Sequence, residues 1–158
     1  MPKETGQFFK TSVFLSLTIG VPFCLFKGLF GYLLVINGFM MAGTAFLLWA
    51  LLDLIMNFLR ASLEVLGHPD PPTQFCLFGQ IGHYWGRKNL LMSIDTFFSF
   101  SIICFVLWSG WVQLLPPWGL VLWLLATTIN LMSLAVMNVW LEIMTDRNQA
   151  ESQTADNS

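Results

Sequence analysis

Charged side chains divide this chain into two long apolar blocks. Between Lys10 and Asp53 lie 42 residues interrupted only by Lys27, and between Asp95 and Glu142 lie 46 residues with no charge at all. About 20 apolar residues of helix cross the roughly 30 Å hydrocarbon core of a bilayer. Each block therefore has room for a helix, a turn and a returning helix. The apolar runs are continuous, whereas a strand of a membrane barrel alternates lipid-facing and lumen-facing positions with a period of two. The pattern predicts an all-α integral membrane protein of four transmembrane helices arranged as two helical hairpins.

The turn residues set the expected boundaries. A first helix is expected over about 11–26, with Lys27, Gly28 and Gly31 marking a tight turn and a second helix over about 29–52. Sixteen residues is short for a span, so its ends need help from Phe8, Phe9 and the Lys27 stem. Residues 53–66 place Asp53, Asn57, Arg60 and Glu64 at helical spacing against Leu54, Ile55, Phe58, Leu59 and Leu63, as an amphipathic continuation of the second helix would. Gly67, Pro69, Pro71 and Pro72 then stop it. An aromatic-rich loop follows to about residue 89 and is expected on the membrane surface. The third helix is expected over about 90–115 and the fourth over about 120–144, joined by Pro116, Pro117, Trp118 and Gly119. Residues 1–144 thus read as one transmembrane domain with its interfacial segment at 53–89. Residues 145–158 are polar and are expected to form a disordered tail.

Composition agrees with a lipid solvent: hydrophobic residues make up 56% of the chain and charged residues 10%, against roughly 25% charged in soluble domains. The apolar stretch after Lys3 and Lys10 runs into Pro22 and Phe23 without a small-x-small cleavage site, which favours a permanent helix over a secretory signal. With four spans, six of the seven Lys and Arg residues fall on the face that carries both termini, which makes that face cytoplasmic by the positive-inside rule. A net charge of −2 without blocks of like charge excludes a nucleic-acid footprint. The two halves also admit a duplication reading, in which Asp53 and Glu142 each close a returning helix.

Asp95 is the residue most open to a chemical role. It lies about two turns inside the third helix, where a carboxylate is costly and normally paired or turned to a cavity. One reading makes it a proton or cation site; the other makes it a structural partner of Lys10, Arg87 or Lys88. Asn37 and Asn130 are expected inside the second and fourth helices as polar contacts between helices. Small residues at Gly38, Ala42, Gly43 and Ala45 permit close helix approach.

Other chemistry finds little support. Cys24, Cys76 and Cys104 are too widely spaced for a disulfide framework or a metal motif, and His68, Cys76 and His83 lack ligand spacing. No histidine falls within a span to bind haem; pigment ligation through His83, an asparagine or a water is the alternative reading. The glycines of FGQIGHYWGRK neither follow a strand nor complete a Walker pattern. No serine, cysteine or carboxylate has a histidine at recognisable spacing. No cofactor, metal or enzymatic activity is expected.

Residues 68–111, HPDPPTQFCLFGQIGHYWGRKNLLMSIDTFFSFSIICFVLWSGW, resemble an uncharacterised family of small cyanobacterial polytopic membrane proteins. The resemblance implies a photosynthetic setting, in the thylakoid or the plasma membrane, and assigns no functional residue. The reading that follows is a non-enzymatic accessory, assembly or scaffold protein that packs against other membrane subunits or against itself. The alternatives are a small oligomeric transporter or channel using Asp95, and a pigment- or lipid-binding protein.

Overall fold

The computed structural model describes residue 14, residues 16–66 and residues 76–156. Helix α1 runs over Ser16–Ile36, its first five residues, Ser16–Gly20, wound as a π-helical turn. Helix α2 is Met40–Val65, the short α3 is Leu77–Tyr84, α4 is Lys88–Trp108 and α5 is Pro117–Asp156. A single 3₁₀ turn, Trp111–Leu114, lies between α4 and α5. Among the described residues there is no strand. Four segments are long and apolar enough to cross a membrane: Ser16–Ile36, Met40–Val65, Lys88–Trp108 and Pro117–Thr145. This is the four-span, two-hairpin architecture that the charge pattern predicts.

The first hairpin turns ten residues later than expected. Lys27, Gly28 and Gly31 are not a turn but the middle of α1, and the chain reverses at Asn37, Gly38 and Phe39. Gly38 holds φ at +90°, a conformation open mainly to glycine. The shift converts a 16-residue helix into one of 21 residues, about 31 Å at 1.5 Å per residue, which matches the bilayer core. Pro22 is accommodated because it lies at the start of the regular α-helix, where a missing N–H costs little. Asp53 does not close the second span: α2 runs unbroken through it, so the amphipathic continuation over 53–66 is the last half of the spanning helix itself. The expected surface loop contains α3. Beyond Thr145 the chain remains helical to Asp156 where a disordered tail was expected; helix propensity in the run AESQTAD does not oppose this.

Helix α1 is the axis of the bundle, packing on α2, α4 and α5, and its apolar stretch is about twice as buried as that of any other span, 44% against 22%. Lipid tails are as apolar as leucine, so close packing rather than expulsion from water holds such helices together. Its closest approach is to α2 at Gly31 and Gly43: a methyl group at Gly31 would stand 2.9 Å from the Gly43 carbonyl oxygen. Aromatic side chains fill the wider gaps. Phe26 meets the fully buried Trp123 edge to face at 4.9 Å, and Phe30 is ringed by Phe46, Phe105 and Trp111.

Candidate functional site: a buried lysine between two aspartates

Three helices bring one charged residue each to a common depth. Asp53 lies thirteen residues after Met40, at the start of α2, and Asp95 thirteen residues before Trp108, at the end of α4. Both are therefore about 20 Å from the turns at that end of the bundle, at 1.5 Å per residue. Lys27 is nine residues before Ile36, about 14 Å from the same end, and its stem leans toward the N-terminus of α1, as helical side chains do. The length of that stem, about 6 Å, carries the ammonium down to the level of the two carboxylates.

There Lys27 Nζ donates to Asp53 Oδ2 at 2.6 Å and to Asp95 Oδ1 at 2.6 Å, with all three side chains buried. The Trp49 ring, one turn before Asp53 on the same face of α2, lies 4.5 Å from Nζ and receives the remaining side of the ammonium by a cation–π contact. Trp49 is held by stacking on Phe46 and Phe98 and by Phe78 of α3. The other oxygen of Asp53, Oδ1, accepts from the backbone N–H of Leu77 at 2.7 Å. Leu77 is the first residue of α3, so the carboxylate also meets the positive end of that helix. Asn57 braces the site, its Nδ2 donating to the Asp53 carbonyl at 2.9 Å and to Cys24 Sγ at 3.8 Å.

Asp95 is less completely held. Its Oδ1 is taken by Lys27, and no donor among the described residues reaches Oδ2. A cavity of about 180 Å³ adjoins it, lined by Ile19, Phe23, Cys24, Asn57, Met92 and Thr96 together with both aspartates. Cys76, at the N-cap of α3, also borders this space and accepts a hydrogen bond from Gly79 N. Burial pushes its thiol up to about 12, with the Asp95 charge acting in the same direction, so Cys76 stays protonated.

The charge count is the chemical content of the site. Among the described residues two carboxylates face one ammonium, so in formal charge the cluster carries one more acid than base inside a low-dielectric region. An unbalanced ion is costly there. A proton or a monovalent cation balances it.

Of the residues singled out in the sequence, Asp95 is at the centre of the site, paired with Lys27 and not with Arg87 or Lys88. Lys10 lies outside the described residues, as does His68. Asn37 is not inside α2; it is the exposed C-cap of α1, and its Nδ2 donates to Leu33 of its own helix. Asn130 is buried on α5, but its Oδ1 has no partner among the described residues. His83 is exposed on α3. Among the described residues no group of three or more His, Cys, Asp or Glu is placed to hold a metal ion. Lys27 and Asp53 are the members of this cluster that the sequence alone does not single out. The available signal is that Lys27, the lone cation inside an apolar block, needs a counter-charge in lipid, and that Asp53 and Asp95 each border such a block.

Comparison of the chain with known protein families, curated proteins and solved structures finds no match.

Proposed function

We propose that the Lys27–Asp53–Asp95 cluster is an intramembrane site that takes up and releases one positive charge, and that the protein works as a small oligomeric transporter or channel built around it. The observation that carries this reading is the two-to-one ratio of carboxylates to ammonium, buried beside a cavity rather than sealed in a packed core. A purely structural ion pair is served by equal charges. Here the excess charge makes occupancy by a proton or cation part of the resting energetics, and gain or loss of that occupant changes the attraction that Lys27 feels from α2 and α4. Movement of α4 relative to the α1–α2 hairpin is the expected consequence.

The test is flux. Protein reconstituted into liposomes with an entrapped pH-sensitive dye should dissipate an imposed proton or sodium gradient faster than empty liposomes. Asp95→Asn should abolish the difference while abundance and assembly persist. Wild-type vesicles as tight as empty ones, or an Asp95→Asn variant with full flux, would overturn the proposal.

A second reading, the accessory or scaffold protein, draws on the outer surface. Trp108 is 94% exposed and Phe97 74%, and Tyr84 and Trp85 stand out near the other end of α4. Such aromatic faces suit either lipid or another subunit. Co-migration with a large complex after mild solubilisation supports this reading, and migration as a homo-oligomer opposes it. The resemblance of residues 68–111 makes a thylakoid or cyanobacterial plasma membrane the first place to look. With Lys27 inside the bundle, Arg60, Arg87 and Lys88 lie toward the end where α1 begins, and that bias of described cations supports a cytoplasmic location for this end.

A further inference from the structure

We infer that the cavity beside Asp95 is a binding site for a small lipophilic amine, a protonated ammonium carried on an apolar body no larger than one aromatic ring. This rests on the reading of the cluster as a site that accepts one positive charge, and names the class of molecule that competes with the proton for it.

Three observations converge on that class. The first is charge: among the described residues the cluster has two acids to one base, and Asp95, only 4% exposed, lines the cavity while Lys27 takes only one of its two carboxylate oxygens. An ammonium placed there completes the balance and gains a charge-assisted hydrogen bond. The second is the lining. Ile19, Phe23 and Met92 offer apolar and polarizable surface, and an aromatic ring also receives a cation favourably. A hydrated metal ion would waste that wall, and a neutral hydrocarbon would leave the carboxylate unanswered. The third is size and access. A dry cavity of about 150 Å³ accommodates benzene, so about 180 Å³ holds a ring with a short aminomethyl arm. Thr96 on its rim is exposed and Met92, Ile19 and Gly20 are half-buried, on the outer flank where α4 passes α1. Asp95 and Thr96 are seven and eight residues into α4, about 11 Å from its start, so this flank lies within the hydrocarbon. Molecules that partition into the bilayer reach it directly, which selects lipophilic amines over sugars or amino acids.

The experiment uses the full-length protein in lipid nanodiscs and follows binding of benzylamine, protonated at neutral pH, by calorimetry or by the quenching of tryptophan emission. Benzyl alcohol serves as a neutral analogue of the same shape. Benzylamine should bind saturably at one site per chain, at least tenfold more tightly than benzyl alcohol. Asp95→Asn should abolish that preference. Thr96→Trp, which fills the mouth from an exposed position without touching the charges, should abolish benzylamine binding while retaining the wild-type elution volume and thermal midpoint. Equal affinity for the amine and the alcohol overturns the inference, and so does unaltered benzylamine binding in Thr96→Trp. Wild-type protein that dissipates a proton gradient but binds no benzylamine overturns the amine site alone and leaves the charge-exchange reading standing; protein that does neither removes both.

Discussion

Lys27 Nζ reaches Asp95 Oδ1 at 2.6 Å across 68 residues of sequence, joining the first span to the third. The same nitrogen holds Asp53 on the second span. One side chain thus ties three helices together at one depth.

Removing that side chain should be costly. Lys27→Met leaves two buried carboxylates with no counter-charge, and loss of one partner from a buried ion pair costs about 3–5 kcal/mol. The variant should show a large fall in thermal midpoint and in folded yield. The cost resides in unbalanced charge rather than in lost shape, so the combined variant Lys27→Met, Asp53→Asn, Asp95→Asn should recover most of it. Unfolding curves in mild detergent check both points; a Lys27→Met variant as stable as wild type would show that the pairing contributes nothing.

The number and type of helices were legible because charge exclusion from lipid acts on long segments and leaves a long signal. The site was only half legible. Asp95 stood out as a carboxylate inside a predicted span, but Lys27 beside Gly28 and Gly31 imitated a turn, and the Asn37-Gly38 pair that makes the real one was absorbed into a helix. The two errors are one: a lysine placed in a turn needs no partner, so Asp53 had none to find. Gly31 served a different purpose from the one assigned to it. Glycine in a membrane helix permits both a turn and a close helix crossing, and only the partner's position, here Gly43, tells them apart.

That crossing is testable. A methyl group at Gly31 would meet the Gly43 carbonyl oxygen at 2.9 Å and the Leu47 nitrogen at 3.0 Å, both of them backbone atoms that move only with the whole helix. Gly31→Ala should destabilise the bundle by about 1–3 kcal/mol, the usual cost of overpacking. Gly28→Ala, whose added carbon meets only the Ala50 methyl at 3.7 Å, should be close to neutral. Equal midpoints for the two variants would remove the argument that the α1–α2 contact is set at Gly31.

The Cys76 thiol, pushed up to about 12 by burial, should resist alkylation. A thiolate is the reactive form, and an unperturbed cysteine begins to form it near pH 8.5. In native membranes at pH 8, maleimide should leave Cys76 unmodified, and detergent denaturation should expose it. The resistance should persist to pH 10, because a group titrating about two units higher is still almost wholly protonated there. Modification of Cys76 in a Cys24→Ala, Cys104→Ala background at pH 8, read by mass shift, would contradict its burial beside Asp95.

The bond from Leu77 N to Asp53 Oδ1 offers a test that touches one hydrogen atom. Leu77 is the first residue of α3, a position where proline is well accepted because its fixed φ suits the helix and its missing N–H has no intrahelical partner. The preceding residue, Cys76, already has the extended backbone that proline requires of its neighbour, with φ −148° and ψ 161°. Leu77→Pro therefore deletes the donor to Asp53 while leaving α3 able to form, and Leu77→Ala removes the leucine side chain but keeps the donor. If the N–H stabilises an ionised Asp53, Leu77→Pro should be less stable than Leu77→Ala by about 1.5–3 kcal/mol, the range for hydrogen bonds to charged groups. In an Asp53→Asn background the acceptor is neutral, and the same comparison should shrink to about 1 kcal/mol. That coupling, measured as a double-mutant cycle from unfolding midpoints, reports on the charge of Asp53 itself. A difference between the proline and alanine variants that is the same in both backgrounds would mean that Asp53 is held neutral.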